Sequence, residues 1–480
     1  WKMRHLIIFY TLVSLIASNH LFSQRDKSET DPLFTAAFQK FEEKDYAAAY
    51  INYTAYLAKK PTDAPATYNR GLCAYELKDY KDGIVNFTKS IILGRITADA
   101  FYSRALCNYQ LKNYELAIAD FDTAISAKPN YIEALTFKAA SLNELKKYTE
   151  ALDALNKAVS YNSNYQYSYY YRAITKYYLK DYEGGVEDCN KSLEIKPYYE
   201  TYFWRGLHYL NLKKYKECIA DYDTVIKHEP KYAKAYYNRG IAYYDLKKYE
   251  KSLSDNNKSI EIDPSKPEAY YNRALTKYET GKHKEAEPDF NAAIDLKLND
   301  AKHYLWRGIN YYYLKKYSLA IADLNIVIQK DTKIELAYYY RALLRYFELD
   351  DKGVIEDCNK ALELKKNAST YYQRGISKYN LKDYQGALDD FNESLKINPE
   401  YKLAILERGV TSYQLEKDNA ALTDLNKYIE LDPNSSRAFY YRGKLKKYMN
   451  DLTGSCTDLK KAQALGDIYA KEELVKNGCK

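Results

Sequence analysis

Leu246-Lys247-Lys248-Tyr249 decides how this chain folds, because the phrase recurs. Leu-Lys-x-Tyr also stands at 77–80, 111–114, 145–148, 179–182, 212–215, 314–317 and 381–384, at spacings of 33–34 residues or multiples of that. Self-similarity at such a period marks a stacked array rather than one closed domain. Nine positions before the tyrosine stands a small residue, the anchor of each unit: Ala37, Gly71, Ala105, Ala139, Ala173, Gly206, Gly240, Ala274, Gly308, Ala342, Gly375, Gly409 and Gly443. The steps are 34 residues except for two of 33, at Gly206 and Gly375, so thirteen units run in unbroken register.

Composition agrees. A chain of 480 residues is too long for one ordinary domain, and 46% hydrophobic residues is enough to build a core. Tyrosine is the outlier, with 57 copies against 14 Phe, 3 Trp and 2 Met, as expected when one residue recurs at fixed places. The net charge of +8 is small and carries no Lys/Arg block, so no nucleic-acid partner is expected. Seven Cys without a C-x-x-C pair and six dispersed His indicate no metal site.

Each unit reads as two helices. Apolar and aromatic residues surround the anchor at helical spacing, as in Tyr236, Gly240 and Tyr243. A polar break such as Lys247-Lys248 follows. The second helix carries a small residue twelve after the anchor (Ala49, Ala117, Ala320) and an apolar one sixteen after (Tyr53, Phe87, Phe121, Phe290, Phe391). Proline closes many units (Pro61, Pro129, Pro230, Pro433), since it cannot continue a helix. Asp31-Pro32 is a good start for the first helix, and Pro288 is expected to kink or shorten the helix that holds it.

This pattern resembles the tetratricopeptide repeat (TPR) family over roughly residues 30–465. The resemblance implies an all-α chain: about thirteen antiparallel helix pairs stacked into a right-handed superhelical solenoid with a concave inner groove. Stacking agrees with the physics, because one helix pair cannot bury its apolar face alone. The expected organisation is a signal peptide over 1–23, a linker over 24–30, thirteen units over 31–465 and a C-terminal cap helix over 466–480. The ending also resembles those of secreted TPR proteins from Bacteroidota bacteria.

Two places vary together. Arg precedes the anchor in eleven units, and Asp stands fifteen after it in ten. The units without Arg carry Ala36 and Lys138, and these carry Asn52 and Ala154 in place of Asp. An Arg–Asp pair joining the two helices of a unit is therefore expected, as in Arg239 with Asp255 and Arg273 with Asp289. An arginine ladder for an anionic ligand is the alternative.

Tyrosines three before and four after the anchor lie seven residues apart, on one stripe of the first helix. They are Tyr68 and Tyr75, Tyr102 and Tyr109, Tyr170 and Tyr177, Tyr237 and Tyr244, Tyr271 and Tyr278, Tyr339 and Tyr346, and Tyr372 and Tyr379. Leu or Ile usually stands between them, as Leu72, Ile241 and Ile376 do. By the resemblance this stripe faces the groove. Tyrosine offers area and a polar handle at low entropy cost, so a binding lining is expected. The alternative is that these rings pack between repeats. The Lys/Asn/Arg set of chaperone-tail readers is missing from the stripe.

At the N-terminus, Lys2 and Arg4 precede an apolar run from Leu6 to Ala17 and a small residue, Ser23, at the expected cut. A retained anchor is the alternative. Cys456 and Cys479 could bridge the last unit to the cap in an oxidising compartment. No P-loop, nucleophile elbow or dinucleotide fingerprint is present, so neither an enzyme nor a cofactor is expected. The reading is a periplasmic or secreted, or envelope-associated, scaffold for a protein or peptide ligand. A glycan-binding module for polysaccharide export is the alternative. Association with a membrane complex, the oligomeric state and the partner's identity stay open.

Overall fold

The computed structural model describes residues 31–479; the signal peptide and linker expected over 1–30 lie outside the described residues. Among those residues are twenty-seven helices and no strand. The chain divides into two compact units, residues 1–246 and 247–480. The first holds six helix pairs, from Pro32–Glu42 with Tyr46–Lys59 to Tyr199–Asn211 with Tyr215–His228, and then Ala233–Asp245. The second begins with Tyr249–Ile262. Six pairs follow, from Pro267–Glu279 with His283–Asp295 to Ser436–Tyr448 with Leu452–Ala464, and the short helix Ala470–Lys476 ends it.

The recurring phrase is the turn between the helices of a pair. In Leu77-Lys78-Asp79-Tyr80, Lys78 takes a left-handed conformation with φ of 65°. Its N–H donates to Tyr75 O and the Asp79 N–H donates to Ala74 O, both at 2.9 Å, which closes the first helix. The Asp79 side chain then accepts from Asp82 N at 3.1 Å and opens the second. Two residues thus end one helix and start the next, so the pair is antiparallel.

The anchor explains the aromatic sixteen residues later. A Cβ on Gly375 would lie 2.7 Å from Phe391 Cε1, and one on Gly206 would lie 2.9 Å from Tyr222 Cζ. The ring rests on bare backbone, and Phe87, Phe391 and Tyr222 are fully buried there. Pro288 lies inside His283–Asp295, which runs through it without a break and, at 13 residues, is one residue shorter than Tyr249–Ile262 and Tyr317–Lys330. It sits in the second turn, where a single hydrogen bond to Lys284 is lost.

Within each unit, successive helices pack in chain order, and the first helices of consecutive pairs also touch. Consecutive second helices show no comparable contact. Each unit therefore curves towards its first helices, which line its inner side. No described helix is long and apolar enough to cross a membrane.

Candidate interaction groove

The arginine before the anchor works between helices. Arg307 Nε and Nη2 donate to Asp323 at 2.8 Å, and Arg273 pairs with Asp289 in the same way at 2.8 and 2.5 Å. The same fork joins Arg104–Asp120, Arg172–Asp188, Arg205–Asp221, Arg341–Asp357, Arg374–Asp390, Arg408–Asp424 and Arg442–Asp458. Arg70 donates instead to Asn86 at 2.7 Å. Arg239 lies in the first unit and Asp255 in the second; within its own unit Arg239 meets Asp223 at 2.5 Å.

The third guanidinium nitrogen has a role that the sequence reading missed. Nη1 of Arg307 donates to Asn291 at 3.1 Å, and that of Arg341 to Asn325 at 2.7 Å, both on the preceding repeat. Asn156, Asn190, Asn257, Asn359, Asn392 and Asn426 do the same elsewhere. Lys138, which replaces the arginine, keeps only this outward link, to Asp122 at 2.6 Å. An aromatic ring four before the anchor also lies under the guanidinium, as Tyr304 does at 5.6 Å. The nitrogens are engaged within the fold, which leaves little for an anion.

The tyrosine stripe divides by unit. Tyr68, Tyr75, Tyr102, Tyr109 and Tyr170 are 1–7% exposed. Tyr102 meets the rings of Tyr131, Phe121 and Phe137, and Tyr170 those of Tyr171 and Tyr198. Tyr68 shares a hydrogen bond with Ser103 at 2.9 Å. Further aromatics at neighbouring places close over these five, so the structure does not present them as an open lining. Tyr177, half-buried, stands against Trp204 and His208, each at 5.6 Å.

Tyr237 and Tyr244 at the end of the first unit are half-buried, as are Tyr271, Tyr278, Tyr339, Tyr346, Tyr372 and Tyr379 in the second. Tyr278 meets Trp306 at 5.4 Å and Tyr372 meets Tyr401 at 5.3 Å, edge-on in the first case. Burial pushes the Tyr339 and Tyr379 phenols up to about 12. They stay protonated at neutral pH, able both to donate and to accept. Beyond the stripe, Tyr313 is 48% exposed and stacks on His283 at 4.8 Å, and Phe347 is 53% exposed and stacks on Tyr317 at 5.2 Å.

Cys456 and Cys479 are joined by a disulfide that ties the chain end to the last pair. Cys73, Cys107, Cys189, Cys218 and Cys358 are free and buried. Among the described residues no group of acidic, His and Cys side chains could hold a metal.

One tetratricopeptide repeat family model matches residues 98–131, 233–266 and 368–401 and a second matches 267–300, each beginning seven residues before an anchor, and a related TPR repeat model matches 206–247. Over those stretches the chain matches tetratricopeptide repeats. Among solved structures, the Cut9–Hcn1 hetero-tetramer of the APC/C is similar at 14% identity, over 91% of this chain and 98% of that one, with a TM-score of 0.45. YrrB, described as a TPR protein with an unusual peptide-binding site, aligns at 19% identity over 38% of this chain and 95% of its own, with a TM-score of 0.36. Yeast Tom70 aligns at 16% identity over 87% and 96%, with a TM-score of 0.34. No curated protein matches the chain.

Proposed function

We propose that this TPR chain is a non-catalytic scaffold that binds a protein or peptide segment along the inner face of its repeats, in the periplasm or at the cell envelope. One observation carries the reading: in the second unit the inner stripe offers half-buried tyrosines around aliphatic residues such as Ile376, with their phenols protonated. Such a surface buries apolar area against a partner and fixes its register by hydrogen bonds. The Cys456–Cys479 bond and the charged, apolar N-terminal sequence support an oxidising compartment outside the cytoplasm.

The test is a crosslinking pull-down from the source cell envelope, with the wild-type chain beside a Tyr271→Ala/Tyr278→Ala/Tyr339→Ala/Tyr346→Ala variant of verified helicity. Protein captured by the wild type and lost from the variant is the expected outcome. Equal capture by both forms would move the interface off this stripe. Retention of envelope glycans in place of protein would favour the polysaccharide reading.

A further inference from the structure

The inner stripe of the second unit carries single charges in the eighth and ninth repeats (Glu268 and Lys302), none in the next three and a cluster of cations in the last. Its four places per repeat lie six and three before the anchor and one and four after it. In the tenth to twelfth repeats these are filled by Leu336, Tyr339, Leu343, Tyr346, Ser369, Tyr372, Ile376, Tyr379, Leu403, Leu406, Val410 and Tyr413, without one charge. Leu336 is 37% and Leu403 46% exposed, so apolar surface lies open there. The thirteenth repeat breaks the pattern with Arg437, Lys444 and the exposed Lys447.

Lys444 takes the place held by Leu275, Ile309, Leu343, Ile376 and Val410 in the repeats before it. Its ammonium stands 5.6 Å from the Tyr413 ring and 5.5 Å from the Tyr440 ring. No carboxylate among the described residues forms an ion pair with it. Arg437 is held by Glu407, with Nη2 donating to Oε2 at 2.9 Å. The glutamate is buried while the arginine side chain remains 45% exposed, so the arginine still presents positive charge on the stripe. The repeat fold asks for no cation at the Lys444 place, since an aliphatic residue serves there in five other repeats.

Resting on the groove reading above, we infer that the second unit takes a segment whose side chains are apolar across the tenth to twelfth repeats and which carries a carboxylate at the thirteenth. The rings hold the Lys444 ammonium in place, which lowers the ordering cost of pairing with that carboxylate. The carboxylate could belong to an Asp or Glu side chain or to the end of the partner chain. The recognition chemistry is the same.

Affinity selection from pooled random dodecapeptides, read by mass spectrometry, tests this. Half of the pool is amidated at the C-terminus, and the purified chain is compared with a Lys444→Leu variant, which restores the residue type of the neighbouring repeats. Retained peptides are expected to carry an apolar run ending in Asp or Glu. Enrichment confined to the free-acid half would name the chain end as the source. Lys444→Leu should cut the acidic preference about tenfold and leave the apolar preference unchanged. Peptides retained without acidic bias, or with a bias unchanged by Lys444→Leu, would overturn this inference and leave the groove reading standing. Retention of no peptide at all would overturn both.

Discussion

Arg307 and Arg273 occupy the same place in successive repeats and differ by one neighbour. Asp289 is gripped by Arg273 and also by Lys277 at 2.8 Å. Asp323 has Arg307 alone among the described residues, where the position of Lys277 is taken by Tyr311. Both carboxylates are buried, at 4% and 3% exposure. Removing Arg307 strands a buried charge, which costs about 3–5 kcal/mol, whereas Arg273→Ala leaves Asp289 a cation and should cost about half as much. Denaturant melts of the two variants check this, and equal losses would contradict it. The Arg–Asp pairs were legible in the sequence because both partners vary within one unit, as Ala36 with Asn52 shows. The asparagine row was not, because Nη1 reaches into the preceding repeat and the comparison within units could not pair Lys138 with Asp122.

Between helices, the same kind of complementarity joins consecutive repeats. Gly185 on Tyr182–Ile195 leaves a hole that the His208 ring fills from Tyr199–Asn211, and a Cβ there would lie 2.0 Å from the ring. Gly83 makes room for Cys107 in the corresponding place. His208 is fully buried, and its Nε2–H donates to Ala173 O at 3.1 Å. Burial lowers its pKa from 6.5 to about 4. A base whose folded pKa is depressed stabilises the fold above its unfolded pKa, and that stability is lost as pH falls. Unfolding free energy should therefore drop by on the order of 2 kcal/mol between pH 6.5 and 4, then level off. Comparing pH-dependent melts with those of His208→Leu isolates the term, and parallel profiles would contradict it. Helix starts and stops were readable from Leu-Lys-x-Tyr, because that phrase is the turn itself. The interlock of Gly185 with His208 was not, because its two members lie in different repeats and look unremarkable singly.

At the scale of the chain, the period showed how many helices there are and how they pair, since register and anchors are strictly periodic. Period alone could not tell which tyrosines stay accessible. Tyr102 and Tyr372 hold equivalent places and each meets the rings sixteen and twenty-six after its anchor, Phe121 and Tyr131 or Phe391 and Tyr401, yet only Tyr102 is fully buried. What differs is one further neighbour: Phe137 packs on Tyr102, and its place beside Tyr372 is taken by Glu407. The central claim is that partners engage the inner side of the first helices. Site-specific photocrosslinking in the source cells tests it most directly, with benzoylphenylalanine at Ile376 on the inner stripe or at Lys360, whose side chain is 59% exposed on a second helix. A discrete protein adduct from position 376 and none from 360 is the expected result; adducts from 360 alone, or from neither position, would contradict the account.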